Sequence, residues 1–179
     1  MRVAFEAAGL ETDYDPDSVP DRAVELVMRA LPFRHVHDSP VGRRIYFVYG
    51  DVFDFSNINE ETMDAAVPSI FGTSNITFFE HISRMIRASR AVDARGRDAY
   101  LSNLDRYRMP IAFMTGEHNR MFLPTGLRRT YEMVSAANGP DLYRSHVIEG
   151  YAHLDCWLGE HADRDVFPIA LAELEKHPA

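Results

Sequence analysis

Two short segments of the chain carry residue types that acid–base chemistry uses. Gly150-Tyr151-Ala152-His153-Leu154-Asp155 sets a histidine after a glycine turn, with a carboxylate two positions on. Gly116-Glu117-His118-Asn119 sets a carboxylate, an imidazole and a carboxamide after another glycine. A histidine whose ring is oriented by a second group can take a proton from a hydroxyl and return it to a leaving group. On that reading His153 is the general base, Glu117 or Asn119 orients it, and Asp155 is a further candidate acid. The plainer reading of each is a polar turn residue that satisfies local backbone, with His118 on the surface. A metal reading starts from His35-x-His37-Asp38, with His153, Asp155 or Cys156 completing the ligand set.

The elements that would position these groups differ along the chain. Residues 1–108 read as a helical, lid-like region, and residues 109–179 as a strand–helix–strand–helix unit. A short N-terminal helix is expected to stop at Gly9, and Asp13 to Pro20 reads as a turn-rich linker. Pro20 opens a helix to about Leu31, with Ala23, Val24, Val27 and Leu31 on one face. Residues 43–49 suit a strand or a buried helical turn, and periodicity does not decide. Asn57 to Ser69 reads as a helix capped by Asn57, and Thr77 with Glu80 as a capping box for the next one.

Beyond Met109 the pattern changes. Ile111 to Thr115 is a short apolar run that suits a strand buried on both faces. Pro124 opens a helix through Ala137, which Asn138-Gly139-Pro140 stops. Tyr143 to Ile148 reads as a second strand, and a last helix runs from about Asp163 to His177 with Pro168 near its first turn. Both polar segments then follow strands, where parallel α/β folds place their chemistry. The expected class is α/β.

At these residues the chain resembles the α/β-hydrolases. Gly116-Glu117-His118-Asn119, followed by Phe122-Leu123-Pro124, is similar to the segment after the family's penultimate strand. Gly150-Tyr151-Ala152-His153 is similar to its histidine loop, in the family's acid-then-histidine order. A narrower resemblance is to hydrolase modules associated with cholesterol-oxidase-like GMC flavin oxidoreductases. It rests on Asp38-Ser39-Pro40-Val41, Arg43-Arg44-Ile45, Tyr49-Gly50, Thr130-Tyr131-Glu132, Asn138-Gly139-Pro140, and His153-Leu154-Asp155-Cys156 through Asp165-Val166-Phe167-Pro168. The resemblance implies a partial α/β-hydrolase fold, a helical lid over the site, and hydrolysis of an ester or lipid-like acyl substrate. In such a site Tyr49, Phe53, Phe78, Phe79 and Met85 would line an apolar acyl or steroid pocket.

Two departures bear on activity. The family takes its serine from a Gly-x-Ser-x-Gly turn, and the nearest segment, Gly72-Thr73-Ser74-Asn75-Ile76, lacks the second glycine. Asn119 stands where an aspartate is usual, and asparagine can hold an imidazole in the wrong tautomer. Two strands also make an incomplete parallel sheet. The chain alone is therefore expected to be inactive. Its expected partner is an N-terminal hydrolase half, or an oligomer partner, that completes the sheet. The alternatives are a non-catalytic module that binds a flavin oxidoreductase, and a metal-dependent hydrolase.

Bulk properties exclude other classes. The 179 residues are 46% hydrophobic and 26% charged, as in an ordinary globular domain. A net charge of −8 argues against general affinity for nucleic acid or anionic lipid. Cys156 is the single cysteine, so no internal disulfide is possible. The sequence has no apolar window of about 18 residues, and a cytoplasmic location without a bound cofactor is expected.

Overall fold

The computed structural model describes residues 15–31, 39–71 and 76–176. The expected N-terminal helix, the His35/His37/Asp38 group and the serine-bearing stretch at 72–75 lie outside the described residues.

The first two helices among the described residues are joined by buried ion pairs. Helix α1 spans Val19–Ala30, with Ser18 Oγ accepting from Asp21 N at 3.3 Å and Pro20 in its first turn. Its buried residues are Glu25 and Met28, whereas Leu26 and Val27 are 72% and 63% exposed. The face expected around Val27 is thus corrected, because α1 turns its carboxylates toward the next helix. Helix α2 spans Pro40–Tyr49, so residues 43–49 are helical and not a strand. Ser39 caps it, accepting from Gly42 N at 3.3 Å and donating to Asp64 at 3.0 Å. Buried Arg43 pairs with Glu25, and buried Arg44 pairs with Asp21 at 3.1 Å. Burial disfavours the charged form of Glu25, but the hydrogen bonds from Arg43 and Arg29 outweigh it and hold the carboxyl below its usual range.

Gly50, at φ 80°, ends α2 and turns the chain into an apolar stretch. Val52, Phe53, Phe55 and Ile58 of that stretch pack with Ile45, Met63 and Val67, and Leu154 and Leu158 close the cluster from the other end of the chain. The helix expected from Asn57 is displaced. Asn59 Oδ1, not Asn57, accepts from Thr62 N at 2.8 Å. A wide π-type stretch, Thr62–Ala66, then runs into α3, Val67–Ile70. The widening coincides with Pro68, which has no N–H to give and crowds the preceding turn. Helix α4 spans Ile76–Ala88, so Thr77 lies inside it and does not cap it.

Strand β1, Ile111–Gly116, pairs in parallel with β2, Tyr143–Ile148, in a register from Ile111↔Tyr143 to Gly116↔Ile148. Helix α5, Pro124–Asn138, connects them and packs on both, ending at Gly139 with φ 93°. Burial on both faces of β1 does not hold: only Thr115 and Gly116 are buried, and Ala112 is exposed. The reason is that the described sheet has two strands. A short helix α6, Asp155–Leu158, follows the histidine, and the helix expected from about Asp163 is broken into α7, Ala162–Asp165, and α8, Phe167–Glu175. Fully buried Val166 sits at the break between α7 and α8, just before Pro168 in the first turn of α8. The molecule is therefore of mixed α/β class. Among the described residues no helix is long and apolar enough to cross a membrane.

Candidate functional site

The loops that leave β1 and β2 are pressed together by one glycine. A Cβ on Gly116 would lie 2.1 Å from the carbonyl oxygens of Tyr151 and Ala152, a distance no side chain tolerates. Without it, His118 N donates to Tyr151 O at 2.8 Å, and Gly150 turns at φ 73°. The β2 loop thereby crosses the end of β1, which sets Asn119 beside His153.

Asn119 is buried and all its polar atoms are engaged. Its Oδ1 accepts from Met121 N at 3.1 Å and Phe122 N at 2.9 Å. Its Nδ2 donates to Thr115 Oγ1 at 3.1 Å and faces His153 Nδ1 at 3.2 Å. The Phe122 ring lies 5.0 Å from the imidazole, tilted by 55°. Burial pushes the half-buried His153 below its ordinary pKa, and the negative charge of Asp155 opposes that without cancelling it.

The other expected acids serve the loops. Asp155 is fully buried, and its carboxylate accepts from Ala152 N at 2.9 Å and from Asn57 Nδ2 at 2.8 Å. That pairing fixes the turn before the histidine and leaves no hydrogen bond between Asp155 and His153. Glu117 is exposed, accepting from Gly150 N at 3.3 Å and standing 3.8 Å from His118. His118 turns the other way, to Asp54 at 3.0 Å. Burial works against the Asp54 carboxylate, but hydrogen bonds from Ser56 and His118 hold its pKa down. The geometry thus joins Asn119 to His153 and separates Glu117 from both.

The aromatic set is split as well. Phe53 is in the core, and Tyr49 bridges Phe71 at 5.1 Å and Phe79 at 6.0 Å. Phe78 is 50% exposed and, alone of the five, lines a cavity of about 260 Å³ beside Thr77, Glu80, His81 and Arg84. Met85 is half-buried on α4. Among the described residues no group of three His, Cys, Asp or Glu is placed to hold a metal ion. The buried Cys156 thiol donates to Ala152 O at 3.4 Å, and burial pushes its pKa up to about 11, so it is no thiolate.

Sequence reasoning missed Thr115, Asn57 and Phe122. Thr115 carried a faint signal, as the polar end of an apolar strand. Asn57 carried none, because its partners are Gly150 and Asp155, at the far end of the chain. No family model, curated protein or solved structure matches this chain.

Proposed function

We propose that this chain is a non-hydrolytic binding module built like the C-terminal part of an α/β-hydrolase, and that it receives a strand of a second polypeptide on the edge of β1 that pairs with no other strand among the described residues. One observation supports this above the others. Glu117 N donates to Ile148 O at 2.8 Å, and in a parallel ladder alternate residues bond the same neighbour. Phe113 and Thr115 therefore pair with β2, while Ala112 and Met114 direct their peptide groups to the opposite edge. That edge, Ile111-Ala112-Phe113-Met114, carries no charge or bulge to block pairing. The partner is a polypeptide that supplies neighbouring strands, and the flavin oxidoreductase of the family resemblance is one such candidate.

Amide exchange followed by NMR tests the open edge. The amides of Ala112 and Met114 are expected to exchange rapidly in dilute protein, while those of Phe113 and Thr115 are protected. Equal protection of all four would contradict an open edge.

A second reading is hydrolysis of an ester or lipid-like acyl substrate in a site that the partner completes with a serine and oxyanion donors. The position of His153 at the carboxyl ends of two parallel strands favours it.

A further inference from the structure

We infer that Asn119 is a positioning residue that holds His153 as the neutral Nε2–H tautomer, so that the loop offers a hydrogen-bond donor rather than a basic nitrogen. This rests on the local hydrogen bonds alone and stands or falls separately from the open strand edge. The direction of each proton follows from two backbone amides. Met121 N and Phe122 N both donate to one atom of the Asn119 carboxamide, which must be its oxygen. A flipped amide would set N–H against N–H at both contacts. The NH₂ group is thereby aimed at Thr115 Oγ1, 3.1 Å away, and at His153 Nδ1, 3.2 Å away. Thr115 Oγ1, accepting on that side, has its own hydrogen for Gly116 O at 3.4 Å.

His153 Nδ1 faces a donor and so must accept. A neutral imidazole has one N–H, which then resides on Nε2. A protonated ring would turn an Nδ1–H against the Asn119 NH₂, and burial disfavours that charge further. A general base that serves a hydroxyl needs the opposite arrangement, with the proton on Nδ1 and the lone pair on Nε2. The partner that Nε2–H recognises is an acceptor oxygen, as in a carbonyl or carboxylate.

The test is a two-bond ¹H–¹⁵N correlation spectrum of the whole chain labelled with ¹⁵N-histidine, recorded above the titration range. Loss of one pattern in His153→Gln assigns the signal. The expected pattern for His153 is an unprotonated Nδ1 with a protonated Nε2. In Asn119→Asp the carboxylate can accept from Nδ1–H. The pattern should then reverse, and the titration midpoint should rise by about one pH unit or more. A protonated Nδ1 in the native chain overturns the inference, as does an Asn119→Asp spectrum identical to the native one. If that variant does not fold, the native spectrum decides alone.

Discussion

Asn57 Nδ2 donates to Asp155 Oδ2 at 2.8 Å and also to Gly150 O at 2.8 Å, so one carboxamide ties the N-terminal helical region to both ends of the histidine loop. Main-chain bonds reinforce the tie: Leu154 N donates to Val52 O at 2.9 Å, and Glu160 N to Asn57 O at 2.8 Å. The two regions therefore share a core, and the loop takes its shape from residues nearly a hundred positions away.

Asn57→Ala strips a buried carboxylate of one donor and a carbonyl of another. The expected loss is about 1–3 kcal/mol of unfolding free energy, read by urea denaturation. Asn57→Asp should cost more at neutral pH, because it sets two carboxylates together, and should recover partly on acidification. Equal stability of the native chain and both variants would show that this contact carries no load.

Gly116→Ala puts a methyl group against two main-chain carbonyls at 2.1 Å. Backbone cannot swing aside as a side chain can, so a loss of about 3 kcal/mol is expected. The His153 resonances should shift too, since the close approach of the loops is what brings Asn119 to the imidazole. A variant with unchanged Tm and an unchanged His153 spectrum would refute the role given to this glycine.

The ion pairs between α1 and α2 give the molecule an acid-sensitive element. Glu25 is held below its unfolded value, about 4.3, so the unfolded chain binds more protons in that range. Its contribution is fully present above the unfolded value and disappears as pH falls through the folded one. Glu25→Gln should flatten the stability–pH curve below about pH 5. Glu25→Ala should cost about 3–5 kcal/mol at neutral pH, by leaving buried Arg43 without this partner. An identical acid slope in Glu25→Gln would contradict the assignment.

His153 gives a second window with a different origin. Its folded pKa lies below the ordinary value of about 6.5, because burial disfavours the cation. Stability is then highest above that value and declines as pH drops from it toward the folded pKa, where the unfolded chain takes up the proton first. His153→Gln should remove this decline while leaving the Glu25 window in place. A decline that persists unchanged would assign it to another group.

Much of the frame was legible in the sequence because it is local. The two strands, the helix between them and the turns at Gly139 and Gly150 follow from short apolar runs bounded by proline and glycine. The orientation of α1 was not legible, since its buried face is charged and is explained only by Arg43 and Arg44 on the next helix. The cap at Asn59 was hidden by Asn57, whose polar side chain suits either role. The site was half legible. The residue types named Asn119 and His153, but separating Glu117 from them depends on the crossing of two loops at Gly116, which spacing does not encode.

We propose that His153 belongs to a module without hydrolytic activity of its own. The most direct measurement is turnover of p-nitrophenyl acetate and butyrate by the purified chain, beside His153→Ala. Both proteins are expected to show only the buffer rate at every pH tested. Turnover by the native chain that disappears in His153→Ala would contradict it, since it would require a nucleophile within this chain and a basic Nε2 on His153.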